Sequence, residues 1–467
     1  MANTKKLVLI LLMAFVLRII SVNQSLWLDE AIGAIAIRNF SYTEIITKFI
    51  SYDNHTPGYY LLLKLWASIF GTSEIALRSL SIMFGLLTIY ATYEITKHIT
   101  KRNNIALASA ILLATSQIHV YYSQEARMYC LVAFFASLSI LYFIKALNEN
   151  KNIYWAVFSV SMLGMVLSDY MPVFFLPIFP VYVFFRKRKL PLKLIFSFIP
   201  LLVFSVLWFP MFQSQFANYS QVPNTFLFGG ATFKQAALLW MKFVFGRISL
   251  APKIVYYSLI AFASVPAIIA LFAALKNKKN LILWLWLLVP PASAFLISFL
   301  FPAFSYFRFI YTLPAFYILI ASTNKKLLTT LIIVFNLVSL YIYYIDKNQQ
   351  REQWRQAVSY IESKADDSSI AIFEFPDPFA PYLWYSQGRV EAKGATDSIS
   401  ANLTETKLKT REVVANKRKV YYFEYLRDVS DPGRVVENTI AEEGFRETDK
   451  TNQFVGVGAI TVYEKNR

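Results

Sequence analysis

Read by hydropathy alone, the chain falls into two unlike stretches. Up to Ile345, apolar windows recur near Leu7–Ile20, Ala76–Ile95, Ile105–Val120, Met128–Leu147, Tyr154–Leu167, Met171–Phe185, Leu194–Phe209, Ile254–Leu275, Leu281–Phe301, Phe307–Ala321 and Leu327–Ile345. Their lengths of roughly 15–22 residues suit helices crossing a hydrocarbon layer, so the pattern predicts about eleven transmembrane helices. Beyond Ile345 the pattern changes. "REQWRQAVSYIESKA", starting at Arg351, sets Trp354, Val358 and Ile361 at helical spacing. "SIAIFEF", "VYYFEYL" and "FVGVGAITVYEK" alternate or cluster β-branched and aromatic residues as strands do. The reading is a polytopic α-helical membrane domain over residues 1–345, followed by a C-terminal α/β domain over 346–467.

Composition agrees. Hydrophobic residues make up 56% of the 467 and charged residues 16%, with a mean hydropathy of +0.44; soluble domains run near ~25% charged. The single cysteine, Cys130, lies in an apolar run, which excludes a disulfide framework and a thiolate metal cage. The first window follows Lys5 and Lys6 and has no small-residue cleavage site, so it reads as an anchored span rather than a removed signal.

The net charge of +17 is unevenly placed. Residues before Asp346 carry 28 Lys/Arg against 9 Asp/Glu, a net +19, and the remainder carries 18 against 20, a net −2. The basic excess sits in short loops: Lys5-Lys6, Lys97 to Arg102, Arg186 to Lys189, Lys276 to Lys279 and Lys325-Lys326. All five fall on one side of the predicted spans, which the positive-inside rule assigns to the cytoplasm. Topology and lipid phosphates account for this charge, and no nucleic-acid partner is expected. The same rule puts the N-terminus inside a plasma membrane, and everything after Ile345 outside it. The first outer loop, residues 22–75, contains an apolar stretch, Pro57 to Phe70, of only ~14 residues, too short to span and expected to lie in the interface or re-enter. A second outer loop, Met211 to Lys253, with "FGG" at Phe228 to Gly230, is expected to fold over a site as a lid.

The candidate chemistry gathers on that outer side. "QSLWLDEAIGA" brings Asp29 and Glu30 together just past the first span. As helix initiators they would cap and complement the dipole of the following segment. As reactants, one would accept a proton from an attacking hydroxyl while the other orients its partner; a rigid cap is compatible with both. "YYSQEARMY" supplies Gln124, Glu125, Arg127 and Tyr129. Arg127, Arg308 in "FPAFSYFRF" and Arg18 all stand at the outer interface, against the inside bias of positive charge. Each alone could snorkel; three together point to an anion, and a planar guanidinium is well shaped for phosphate. "DNHTPGYY" adds Asp53, His55 and Tyr59, where two possible ligands do not make a metal site. Asp169 interrupts an apolar run at the same level, as intramembrane acids at functional sites do.

Taken in order, "SLWLDEA", "HTPGYYLLLKLWASIFG", "ALRSLSIMFG" and "YYSQEARMY" resemble the GT-C glycosyltransferases, in the lipid-linked-sugar branch of protein O-mannosyltransferases and lipid A aminoarabinose transferases. The resemblance covers the first ~180 residues and returns more weakly at "YFRFIYTLPAFYIL" and "REQWRQAVSYI". It implies a GT-C type fold and an inverting transfer of a sugar from a polyprenyl-phosphate donor to a hydroxyl on a protein, lipid or cell-surface glycan. It also implies Asp29 as catalytic base with Glu30 beside it. Arg127, Arg308 and Arg18 would bind the donor phosphate, and His55, Tyr59, Gln124, Glu125, Tyr129 and Asp169 would line the substrate cavity. The chain departs from the family at Phe309, where relatives often have Tyr after the arginine, and at Asp169, where many have His before Tyr. No cofactor is required; a divalent metal is compatible but unsupported by the number of ligands, and no "GxxxxGK" nucleotide loop is present. A transporter or flippase of lipid-linked substrates would use similar charges, but it calls for internal repeats and broken helices at mid-depth, and the sequence has no repeat.

Overall fold

The computed structural model describes residues 2–187, 189–220, 232–299 and 304–465. The expected lid motif at Phe228 to Gly230 lies outside them. Two compact units emerge: residues 1–22, 40–217 and 229–349 form the first, and 23–39, 218–228 and 350–467 the second. The expected change of domain at Ile345 falls close to where the second unit resumes at Gln350. The second unit also takes the short segment 23–39, which the sequence alone places in the first outer loop.

The first unit is helical. Every one of the eleven apolar windows is helical over most of its length. Six helices are long and apolar enough to cross a membrane: Glu74–Thr100, Tyr129–Glu149, Leu192–Asn218, Lys253–Leu275, Lys278–Ile297 and Lys326–Ile345. Asn103–Thr115 and Gln117–Ser123 make a seventh candidate, bent by 63° at the break. The remaining windows give shorter apolar helices, among them Asn152–Ser168 and Tyr306–Ser322. The chain is a multi-pass membrane protein, with fewer full-length spans among the described residues than window counting predicts.

The stretch that is too short to span is the helix Gly58–Phe70. It is anchored on its neighbours: Trp66 Nε1 donates to Ala76 O at 3.0 Å and to Ser79 Oγ at 2.9 Å. Its first residue must be glycine, because a Cβ there would stand 2.5 Å from the Leu167 carbonyl oxygen. This close approach brings the start of one helix against the end of Asn152–Ser168 and so fixes the loop that precedes it.

The second unit is built on a five-stranded sheet. β1 (Ser369–Phe373), β2 (Glu391–Gly394), β3 (Lys419–Phe423), β4 (Phe445–Thr451) and β5 (Ile460–Lys465) are ordered β2-β1-β3-β5-β4. β1 pairs in parallel with both β2 and β3; β5 runs antiparallel to β3 and β4. Alternate residues point to opposite faces, and both faces are covered. Ala371, Phe373, Tyr421 and Phe423 pack with Trp354, Val358 and Ile361 of the helix Trp354–Lys364. Ile370, Ile372, Val420 and Tyr422 pack with Val413, Val436 and Ile440 on the other side. Leu28, from the distant N-terminal segment, packs against the first of these clusters.

One acid is enclosed in this sheet. Glu374, fully buried, accepts from the Tyr422 hydroxyl. Burial pushes its carboxyl up to about 9, helped by Asp431 and Glu437 and opposed by the Tyr422 bond and Arg427. The folded unit therefore holds a proton that the unfolded chain, with Glu near ~4.3, releases. Stability from this group is fully present below the unfolded value and is lost as pH rises toward about 9. Amide exchange of β1 and β3 peptides is expected to quicken between pH 5 and 9 beyond its intrinsic rate, by up to ~1.4 kcal/mol of protection per pH unit. Glu374→Gln should flatten that dependence.

Candidate active site

In the first unit Asp53, His55, Tyr60 and Arg127 form one connected cluster. The segment Asp53 to Pro57 leads into the glycine-fixed helix, and Asp53 organises it. Asp53 Oδ1 accepts from the His55 backbone N–H at 2.8 Å and pairs with His55 Nδ1 at 2.6 Å. Its other oxygen accepts from the Tyr60 hydroxyl at 2.9 Å. Arg127 closes the ring, with Nη1 donating to Tyr60 Oη at 3.0 Å and Nη2 lying 3.3 Å from His55 Nε2. A guanidinium only donates, so His55 accepts at Nε2 and carries its proton on Nδ1, toward Asp53. Burial alone would raise the Asp53 carboxyl. His55, the Arg127 charge and the Tyr60 bond outweigh it and pull it down to about 2. Gln215 holds the loop from behind, donating to the carbonyls of Ile50, Asp53 and His55 at 2.8, 2.8 and 3.0 Å. Ser81 Oγ donates to the Arg127 carbonyl at 3.2 Å, tying the arginine to the helix Glu74–Thr100.

The other sequence-selected residues of this unit have different surroundings. Arg18 is fully buried among apolar helices. It donates to the Ala14 and Ala114 carbonyls at 2.8 and 3.2 Å and to Ser123 Oγ at 3.1 Å, and Nη2 meets His119 Nδ1 at 2.7 Å. Its guanidinium is enclosed by protein. Gln124 donates to the carbonyls of Arg18 and Ile20 and accepts from Tyr343 Oη at 2.9 Å, joining three helices. Tyr59 is buried edge-on to Tyr60, with ring centroids 5.8 Å apart. Glu125 is buried in the same short segment as Arg127. Tyr129 stacks edge-on with Tyr122 and Phe307, at 5.0 and 5.6 Å, which brings the Arg308 turn against the start of the helix Tyr129–Glu149, two residues past Arg127. Arg308 is half-buried, and among the described residues its guanidinium has no hydrogen-bond or ion-pair partner. Asp169 is buried just past Asn152–Ser168 and accepts from the Met171 N–H at 3.4 Å. Sequence reasoning passed over Tyr60, Gln215 and Arg247. The last is a half-buried cation 4.2 Å above the Tyr121 ring. Among the described residues no three His, Cys, Asp or Glu side chains converge as metal ligands.

Asp29 and Glu30 belong to the second unit. They occupy the first turn of the helix Leu28–Asn39, and the residue before that helix is Trp27, so Asp29 lies inside the helix rather than at its cap. Glu30 is buried and its Oε2 accepts from the Trp27 N–H at 3.4 Å, closing the helix end. Asp29 is half-buried. The segment that carries them is fastened to the rest of the second unit. Gln24 Oε1 accepts from the Arg351 N–H at 2.6 Å, Ser25 Oγ from the Arg355 N–H at 3.1 Å, and the Leu26 N–H donates to Tyr385 Oη at 2.7 Å. With Leu28 in the core, Asp29 lies within electrostatic range of Glu352 and Tyr425.

Removing the Tyr60 hydroxyl leaves Asp53 and Arg127 each short of one bond inside a buried cluster. Tyr60→Phe should cost about 1–3 kcal/mol, read as a lowered thermal unfolding midpoint of the protein in lipid nanodiscs.

Residues 54–209, which contain His55, Tyr60, Arg127 and Asp169, match the family described as dolichyl-phosphate-mannose-protein mannosyltransferase. An uncharacterized protein of Aquifex aeolicus is 28% identical over 282 residues, a match covering 50% of this chain and 56% of that one. The chain's match thus spans little more than half of that relative's length. ArnT from Cupriavidus metallidurans in the apo state superposes over 99% of this chain and 98% of its own, at 12% identity and a TM-score of 0.51. The same ArnT has been solved bound to undecaprenyl phosphate and aligns equally well, with a TM-score of 0.51. An oligosaccharyltransferase from Archaeoglobus fulgidus covers 98% of this chain and 76% of its own, at 11% identity and a TM-score of 0.55. The chain is thus a GT-C-fold membrane protein that carries, over residues 54–209, the sequence signature of the dolichyl-phosphate-mannose-protein mannosyltransferase family.

Proposed function

We propose that the chain is an inverting glycosyltransferase of the plasma membrane. It moves a sugar from a polyprenyl-phosphate carrier to an acceptor hydroxyl on the extracytoplasmic side. The observation that carries this reading is the buried Asp53–His55–Tyr60–Arg127 cluster, which holds a guanidinium rigidly among apolar helices and inside the family-matched stretch. Such an arrangement suits a ligand whose phosphate is charged and whose tail is not. The capture of undecaprenyl phosphate by ArnT, a protein of the same fold, supports it.

In this reading the acceptor oxygen attacks the anomeric carbon while the bond from that carbon to the carrier phosphate breaks. Asp29, a half-buried acid in the first turn of its helix, takes the acceptor's proton. Arg127 and Arg308, the latter without a side-chain partner among the described residues, stabilise the charge that develops on the leaving phosphate. Fixed donors aimed at developing charge lower barriers by several kcal/mol because they need no reorganisation. His55 and Asp53 act on Arg127 by fixing its plane. Glu30, engaged at the helix end, positions Asp29; Arg18 and Gln124 hold the helices that carry the site. Tyr59, Glu125, Tyr129 and Asp169 shape the cavity for donor and acceptor. The N-terminus is cytoplasmic and the second unit extracytoplasmic. The acceptor is a protein, lipid or glycan hydroxyl.

The test is label transfer in proteoliposomes, from a panel of radiolabelled undecaprenyl-phosphate sugars, with native membrane extract as acceptor. Asp29→Asn should lower turnover by about 10²–10⁴-fold, the range for loss of a positioned base, without altering the unfolding midpoint. Glu30→Gln should lower it less. Arg127→Ala should cost about 10²–10³-fold. Full activity in Asp29→Asn would end the mechanism.

A further inference from the structure

Glu352 has no part in the reading above, yet its surroundings are built with care. It lies between the membrane unit's last helix and Trp354–Lys364, in the second unit. Trp354 Nε1 donates to its Oε2 at 2.6 Å, and Tyr425 Oη donates to its Oε1 at 3.0 Å. The loop before β5 closes over its methylenes. Gly456 there has φ +77, and a Cβ on it would stand 2.7 Å from Glu352 Cγ. Reciprocal bonds between Gln353 and Val455, at 2.9 and 3.0 Å, fasten that loop.

The same two side chains that hold Glu352 belong to the cluster on which Leu28 packs. Leu28 thus holds the helix start next to that cluster, with its neighbour Asp29 within electrostatic range of the Glu352 carboxylate. The groups facing Glu352 are Asp29 from the helix Leu28–Asn39, Tyr425 from the segment after β3, and Arg351 and Trp354 from its own stretch. Two carboxylates in one neighbourhood, one half-buried and held by two neutral donors, form a pair that can share a proton.

We propose that Glu352 is a positioning carboxylate of the same reaction, the group that takes the acceptor's proton on from Asp29 and returns it to water. The inference rests on Asp29 being the base. The steps balance. The acceptor O–H bond breaks as its oxygen bonds the anomeric carbon, and the bonding pair of the broken C–O bond leaves on the carrier phosphate. The proton passes to an Asp29 oxygen, then to Glu352, then to solvent, so that Asp29 is ionised again for the next turnover. Burial, reinforced by Asp29 and opposed by the Trp354 and Tyr425 bonds and by Arg351, lifts the Glu352 carboxyl to about 7. It is thus poised to accept and release a proton near neutrality.

Two measurements on the full chain in nanodiscs test this. The first follows the carboxyl C=O stretch by infrared difference spectroscopy from pH 5 to 9, without any substrate. A band titrating near 7 is expected in wild type. It should be absent in Glu352→Gln, shifted to lower pH in Asp29→Asn, where a neighbouring negative charge is lost, and shifted to higher pH in Tyr425→Phe, where a donor is lost. No band near 7, or a band indifferent to Asp29→Asn, overturns the pairing.

The second is the pH profile of label transfer from the undecaprenyl-phosphate sugar panel. Wild-type kcat should rise with pH through about 7 and level off. Glu352→Gln, a mimic of the protonated acid, should be flat at the level wild type reaches near pH 6, at least ~10-fold below its plateau, with KM unchanged. Glu352→Asp should restore a rising limb. A wild-type limb in Glu352→Gln sinks this proposal alone. Full activity of Asp29→Asn instead sinks the base assignment, whatever Glu352 does.

Discussion

The attachment of residues 23–39 to residues 350–467 is the constraint on which the candidate chemistry depends. Three backbone N–H bonds, from Arg351, Arg355 and Leu26, and one leucine in an aromatic core hold a short polar segment far from it in sequence. Each such bond contributes about 1 kcal/mol on its own. Together they remove the freedom that a loop following a membrane helix would otherwise have. A general base gains from this directly, since proton transfer needs the acceptor oxygen within hydrogen-bond reach in a fixed direction. The same attachment sets Asp29 within electrostatic range of a second carboxylate, Glu352, where it reinforces the effect of burial.

In the first unit the organising problem is different: how to keep positive charge among apolar helices. Three arginines solve it in three ways. Arg18 is surrounded by two carbonyls, a hydroxyl and an imidazole, all neutral acceptors. That arrangement satisfies the hydrogens of a guanidinium and makes it a strut. Arg127 meets Asp53 through Tyr60 and His55. Those two intervening groups fix the plane of the guanidinium relative to the carboxylate. Arg308 has no such network among the described residues, and its half-buried guanidinium keeps all its donors. Desolvated donors without partners are costly, so Arg308, whose guanidinium has none among the described residues, is the one with most to gain from a phosphate.

Much of this architecture was legible in the sequence, and the exceptions have physical reasons. The apolar windows mark helices because lipid demands a continuous run of side chains, whatever the neighbours are. The break at Ser116 left no mark, since the residues on both sides of a 63° bend are equally apolar. β1, β3 and β5 show as runs of Ile, Val, Tyr and Phe because both faces of the sheet are covered. β2 and β4, reading "EAKG" and "FRETDKT", are the sheet's two edges and mostly exposed, so no hydrophobic pattern is required of them. Among the candidate residues, Asp29, Arg127 and His55 each stand out as polar residues in an apolar stretch of sequence. Tyr60 and Gln215 do not, because tyrosine and glutamine are unremarkable at a helix end, and only folding reveals what they touch.

Glu352 shows the limit most clearly. Within "REQWRQAVSYI" it is one charge among several on what reads as an amphipathic helix, and local reasoning assigns it to solvent. Its two hydrogen-bond partners come from Trp354, two residues on, and Tyr425, some seventy residues away; its electrostatic partner, Asp29, comes from the far end of the chain. No periodicity connects these positions. What connects them is the packing of Leu28, a residue that any hydropathy plot would assign to the edge of a membrane loop. A hydrophobic contact thus decides which carboxylates become neighbours.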